Sequence, residues 1–429
     1  MKIISSIDKK VIVLVIVLDI IAIGIGILPI AWAMLIGVGA IGLVFITHFP
    51  LFGISIFLVG SYLFSFFIGE SQIITIVLVA IALTGTTLYY IDRNIPYRNL
   101  QNDYATLSFV LFSGLLIVGF FYTPNKVYAV SKIYRYFMFN SLAFMIPFIF
   151  SDDIKSLKKL YANIFYVALG LVILSSILIL STNSYTYSRF NLDGRMNPIW
   201  IARIIGVGIL ISLYYLQQIR DRKTKSGLVL YIFIGLWIIV LTGSRAPIIA
   251  LLVSAMVFMM FIQKRSHKFK ILTIAGALSF STILLMLIPS TVIMSKYTTI
   301  GSKVSVLQRF ALWEKAIEIS FDNPFIGKGT GGFQLHSLGF SKYPHNIFLE
   351  TSSELGLIGL VIMISFFFRP FWDIPQMFDK DRAFSVLMLS LWVFVSFNAQ
   401  FSGDVTGNYL VWFFIGSWIV LSSEKVKVV

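Results

Sequence analysis

The 429-residue sequence contains no cysteine, which excludes disulfides, Cys-ligated metals and thiol nucleophiles. Charge is scarce too. Only 12% of residues are Asp, Glu, Lys or Arg, against about 25% in an ordinary soluble chain. Acidic residues are the rarer sign, 19 against 34 basic ones. Those expected on the outer side form no Asp-x-Asp pattern, so neither a metal site nor a cofactor is expected. What is abundant is apolar: 58% of residues are hydrophobic and mean hydropathy is +0.89. These values exclude a soluble globular or disordered chain. The apolar runs are solid, without the alternation of a membrane barrel. The expected class is an all-α polytopic membrane protein.

Runs long enough to span lie near 11–28, 30–47, 51–68, 73–90, 104–122, 134–150, 161–181, 198–217, 228–242, 246–262, 270–288, 346–368, 383–400 and 408–422. This predicts about 12–14 transmembrane helices in one integral membrane domain, 1–429. The first run follows Lys9-Lys10 and has no small-residue cleavage site, so it reads as a retained span. The net charge of +15 does not point to nucleic acid, because the Lys and Arg residues sit mostly in short links between spans. With the N-terminus inside, most of them fall on the inner side, and half of the outer ones belong to one long loop. Both termini of this multi-pass chain are therefore expected on the cytoplasmic side of the membrane.

That loop, 289–345, is far longer than any other connection and is expected to have its own helices and a function. In it Phe310, Trp313, Ile317 and Phe321 recur at helical spacing, with Arg309, Glu314, Lys315 and Glu318 on other faces. The pattern predicts an amphipathic helix lying on the membrane surface or capping a cavity. Pro324 ends it, and Gly327, Gly329, Gly331 and Gly332 read as a flexible turn. Lys328 is followed by Gly329 and not by Ser or Thr, so the run is not a phosphate-binding loop of the Walker type.

The predicted topology brings polar groups from separate parts of the chain to the outer face. Arg189 and Arg195 follow the seventh span. Arg245 lies in the tight Thr242-Gly243-Ser244-Arg245 link, His345 ends the long loop, and Asp404 lies between the last two spans. Arg203 falls about two turns into a span, where a charge is costly and function is the default reading. Each has an ordinary alternative: an arginine at a helix end anchors the interface, Arg203 can pair with Glu350, Glu354 or Asp404, and His345 can cap its helix. Guanidinium groups suit a diphosphate, because their planar fork bonds phosphate oxygens bidentately. A neutral imidazole beside them suits a general base.

Three pieces of the chain resemble the O-antigen ligase and O-antigen polymerase family of envelope glycosyltransferases. The first is Arg195 with Asn197-Pro198, and the second is Thr242-Gly243-Ser244-Arg245-Ala246. The third runs from Arg309-Phe310-x-x-Trp313 through Asn323-Pro324-x-x-Gly327-x-Gly329 to His345-Asn346, nine residues and Gly356-Leu357-Ile358-Gly359. The resemblance covers 190–410, the expected catalytic region. It implies the multi-span, GT-C-like fold of lipid-linked glycosyltransferases, with a large extracytoplasmic loop over a cavity. It also implies metal-independent, inverting transfer of a glycan from undecaprenyl diphosphate to an acceptor sugar on the outer, periplasmic or exterior face.

By that resemblance Arg195 and Arg245 bind the diphosphate and His345 activates the acceptor hydroxyl. The substrate-binding expectations extend to Arg189, Arg203, Arg309, Asn346 and Asp404. The short Arg189–Arg195 segment departs from the family pattern. A polymerase of surface-polysaccharide repeat units is the first expectation, from the Asn-Pro element. The alternatives are a ligase acting on lipid A-core and, more distantly, a lipid-linked glycan flippase or transporter. Expected partners are the lipid-linked donor, a saccharide acceptor (a lipid-linked repeat unit or lipid A-core), membrane lipids and a chain-length regulator.

Overall fold

The computed structural model describes residues 49–60, 83–84, 86, 104–150, 154–181, 197–262, 300–336, 339 and 341–422. The predicted spans at 11–28, 30–47 and 270–288, and nearly all of 73–90, lie outside the described residues. Described elements are helical: α1 (Pro50–Ser55), α2 (Tyr104–Tyr122), α3 (Lys126–Phe150), α4 (Ile154–Ser181), α5 (Pro198–Gln218) and α6 (Arg222–Leu241). They continue with α7 (Arg245–Ile262), α8 (Ile300–Asp322), α9 (Ile347–Phe367), α10 (Ile374–Ala399) and α11 (Leu410–Ser422). Eight of the described helices are long and apolar enough to cross a membrane, and Pro50–Val59 and Leu410–Ser422 are shorter apolar helices.

Several helix starts are written locally. The Asn125 side chain accepts from Tyr128 N, and Asn197 accepts from Ile199 N with Pro198 following at the first helical position. Asp221 accepts from Thr224 N. Each side chain satisfies a backbone N–H that the helix leaves without a partner. Serines inside the spans, such as Ser113, Ser212 and Ser254, return their hydroxyls to the carbonyl four residues earlier, which keeps those hydroxyls paired inside the bundle.

Burial sorts the bundle into an inner and an outer layer. The most apolar window of α5 is 72% buried and that of α10 is 78%, against 33% for α2, α6 and α7. α5 is central because small residues let its neighbours close in. A Cβ on Gly206 would strike the Phe394 ring of α10, and one on Gly208 would strike Tyr231 of α6. The apolar core extends through Trp412, Phe413 and Trp418 of α11, all essentially inaccessible.

Successive helices run up and down. One end of the bundle therefore gathers the links at 123–125, 242–244 and 400–409 with the long loop. The other end gathers the 219–221 and 368–373 links and an ion pair between Lys158 and Asp381 at 2.6 Å. Asp381 breaks the helical geometry of α10 and caps its second half through Phe384 N.

Candidate active site

The loop end is organised around a break in α9. Gly356 has φ 65° and ψ −163°, a combination reserved for glycine, and it interrupts the helix inside the bundle. Backbone groups freed by the break are bonded by the glycine-rich segment after α8. Lys328 N donates to Ser353 O and Gly329 N to Glu354 O. Leu357 N donates to Pro324 O and Ile358 N to Phe325 O. The contact is backbone on backbone: a Cβ on Gly356 would lie 2.3 Å from Phe325 C, and one on Gly327 would lie 2.4 Å from Glu354 C. The segment expected to be a flexible turn is thus buried and interlocked, because unpaired helix carbonyls and amides inside a membrane protein need partners. Gly356→Ala is expected to cost about 3 kcal/mol or more, read as a large fall in the thermal midpoint of the purified protein. An unchanged midpoint would contradict the interlock.

Two layers of buried charge lie beside it. Lys132 of α3 sits between Glu350 and Glu354 of α9, ion-paired to both, with all three side chains inaccessible. Glu354 Oε2 also accepts from Gly331 N at 2.8 Å, and Glu350 Oε2 from Val405 N at 2.9 Å. One turn along α3, Arg135 Nη2 lies 3.3 Å from Asp404 Oδ2, and Asp404 accepts as well from Thr406 Oγ1 and Gly407 N. The 400–409 link is held further by Asn140 Nδ2 donating to Val405 O and by Arg203 of α5. Arg203 Nη1 donates to Asn408 Oδ1 at 3.0 Å, and its Nη2 to the carbonyls of Asn398 and Ser402, while its plane lies over the Trp200 ring.

His345 is placed by this frame. It has φ 61°, the one non-glycine residue with positive φ among the described residues. The following Asn346 caps α9 by accepting from Phe348 N and Leu349 N. Trp313 of α8 donates to Pro344 O at 2.9 Å and its ring meets Phe401 of the 400–409 link, so the loop helix clamps both turns. The His345 ring stands edge-on to Tyr343 at 4.8 Å, and its Nδ1 is buried with no hydrogen-bond partner. Burial, reinforced by the Arg309 charge and opposed by Asp404, lowers its pKa to about 4. The imidazole is therefore neutral at physiological pH, with a nitrogen free to accept a proton. Burial also pushes the Tyr343 phenol up to about 12, so that its hydroxyl stays a donor.

The sequence-predicted residues divide clearly. His345, Asn346, Arg309, Asp404 and Arg203 are brought to one end of the bundle. Arg203 is satisfied by Asn408 and backbone carbonyls, while Lys132 and Arg135 take the carboxylates offered as its alternative partners. Arg245 is the first residue of α7 at the same end, exposed, and no ion pair holds it among the described residues. Arg189 and Arg195 lie outside the described residues. Neither Lys132 nor Arg135 stands out in the sequence, because with a span expected from 134 Lys132 falls in the preceding link and Arg135 at the span's very start, where a cation reads as an interface anchor. Asn125 caps a helix that starts at Lys126, which places them inside it. The readable signal was the three-residue spacing of Lys132 and Arg135 against the four-residue spacing of Glu350 and Glu354.

Residues 229–364 match the family described as O-antigen ligase. Over that segment, about a third of the chain, the sequence is similar to the O-antigen ligase family. The ligase-family segment runs from α6 through α7, the loop and α8 to the far side of the α9 break. It holds Arg245, Arg309, His345 and both interlocking glycine motifs. Lys132, Arg135, Arg203 and Asp404, which complete the frame, lie outside the matched segment. No curated protein matches the chain. The matched segment and the apolar helices together support a multi-pass membrane protein similar, over 229–364, to glycosyltransferases of the O-antigen ligase type.

Proposed function

We propose that the chain transfers a glycan from undecaprenyl diphosphate to an acceptor sugar at the loop-bearing end, on the outer face of the membrane, with both termini in the cytoplasm. The observation that carries this reading is the buried, unpartnered His345 nitrogen beside fixed positive charge. In this mechanism His345 takes the proton of the acceptor hydroxyl as its oxygen attacks the anomeric carbon and the bond to the diphosphate breaks on the opposite side, inverting the centre. Asp404 favours the imidazolium that results, as its charge already does in the resting site. The leaving diphosphate gains charge as the bond breaks, so guanidiniums near it stabilise the transition state more than the ground state. Arg245 and Arg195 take that role, while burial, with Arg309 adding to it, keeps His345 neutral before reaction.

Transfer to a further lipid-linked repeat unit, a polymerase reaction, is the preferred form, favoured by the Arg195 and Asn197-Pro198 element. The match of 229–364 to a family described as O-antigen ligase favours the second form, transfer to lipid A-core. Purified protein given a lipid-linked glycan and each acceptor separates them: longer lipid-linked chains support the polymerase, glycan joined to the core supports the ligase, and neither product defeats both. Arg245→Lys keeps charge and loses the bidentate fork. Its turnover is expected to fall about 100-fold, and full activity would remove Arg245 from the diphosphate site.

A further inference from the structure

A second group of hydrogen-bond donors lies next to His345 and has no role in the reaction as described above. Tyr128 of α3 is almost fully buried, and beyond the neighbouring Arg135, which can only donate, its hydroxyl has no hydrogen-bond partner. Two cations lie over its ring: the Arg135 guanidinium carbon at 5.8 Å and Lys342 Nζ at 6.0 Å. Arg135 meets Asp404 and Tyr128 and keeps further donors uncommitted. One nitrogen lies 3.3 Å from Asp404, its Nε is buried with no partner, and the side chain remains about one third exposed. Lys342 is exposed and precedes the Tyr343-Pro344-His345 turn directly. The three groups come from α3 and the end of the long loop. Lys132, between Tyr128 and Arg135 on α3, ties that helix to α9 through Glu350 and Glu354.

This set holds donors and positive charge and lacks a free acceptor. A buried hydroxyl hydrogen without an acceptor is costly to keep, so its persistence points to an occupant that accepts hydrogen bonds. A guanidinium and an ammonium grouped within 6.0 Å of one phenol ring have the chemistry of a phosphate site, with the guanidinium supplying the planar fork. We propose that Tyr128, Arg135 and Lys342 form a second phosphate subsite beside His345, distinct from the Arg245 and Arg195 site assigned to the leaving diphosphate. The inference rests on the glycosyltransferase reading and deepens it. A lipid-linked acceptor brings a phosphate group of its own, and so does the donor. Either source has the chemistry the subsite recognises. Asp404 holds Arg135 in place when the subsite is empty and competes with the phosphate for it.

Binding of inorganic pyrophosphate to the full-length protein in detergent, followed by calorimetry, tests the subsite. Arg135→Gln is expected to weaken binding about 10-fold or more, with smaller losses in Tyr128→Phe and Lys342→Gln. Asp404→Asn is expected to tighten it, because the guanidinium is released; a purely structural Arg135–Asp404 pair gives no such gain. Tyr128→Phe keeps the ring and the fold, so its result stands if Arg135→Gln proves unstable. Wild-type binding in Tyr128→Phe and Lys342→Gln, with no gain in Asp404→Asn, would overturn the subsite. If only Arg245→Gln weakens binding, the transfer reading stands and the subsite does not. In steady-state turnover, a KM increase confined to the acceptor in Tyr128→Phe assigns the phosphate to the acceptor, and one confined to the donor assigns it to the donor. Unchanged KM for both substrates contradicts the proposal.

Discussion

His345→Ala is expected to lower transfer between about 100-fold and 10,000-fold, the range that a positioned general base contributes, while the protein still folds and still binds its donor. The expectation follows from the isolation of the imidazole. Its Nδ1 has no partner inside the protein, and its neighbours are placed by Trp313 and by the Asn346 cap independently of the ring. The pH profile gives a second reading of the same group. The pKa is lowered to about 4, so the ring is in its proton-accepting form above that value. Activity is therefore expected to hold as pH falls through 6.5, the ordinary histidine value, and to decline only as it approaches about 4. A bound diphosphate adds negative charge and moves that decline upward. Activity that disappears near 6.5 in the wild type, or His345→Ala turning over at the wild-type rate, would contradict the assignment.

Lys132→Met carries the second large effect, this time on stability. The ammonium compensates two buried carboxylates at once, and removing it leaves both without their cation in a water-free position. Breaking one buried pair typically costs about 3–5 kcal/mol, so this variant is expected to fold poorly or to lose most of its thermal stability. Exchanging Glu350 and Glu354 for Gln in the same chain removes the stranded charge, and much of the stability is expected to return. The consequence reaches the site as well, because Glu350 also holds Val405 N, beside Asp404. A Lys132→Met protein with the wild-type midpoint would mean that the three side chains do not meet as described.

The bundle was legible because an apolar run in a chain with so little charge has few structural options. The spans expected at 104–122, 198–217 and 246–262 coincide with helices almost to the residue. Less legible was everything that depends on which partner a group meets. The stripe of Phe310, Ile317 and Phe321 was readable as one face of a helix, but hydropathy does not distinguish a surface facing lipid from one facing protein. In the structure those three side chains are exposed, while Leu312, Ala316 and Ile319, with Phe333, form the packed face. The glycines between 327 and 332 looked flexible because nothing local reveals that a helix break some 25 residues on accepts them. Lys132 looked like a link residue because a charged side chain ends an apolar window whether or not two glutamates await it. The spacing of His345-Asn346 to Gly356 and Gly359 was readable as a resemblance, and the structure gives that spacing a local reason: the Asn346 cap begins α9 and Gly356 breaks it.

The most direct test of the central claim is the covalent fate of a defined glycan. Wild-type protein is reconstituted in vesicles with the undecaprenyl-diphosphate-linked glycan and an acceptor, and the products are weighed by mass spectrometry. A new glycosidic product with inverted anomeric configuration, together with released undecaprenyl diphosphate, is the result predicted. Glycan that crosses the bilayer with its lipid linkage intact and no new bond would show a translocator, and would contradict a reaction centre at His345.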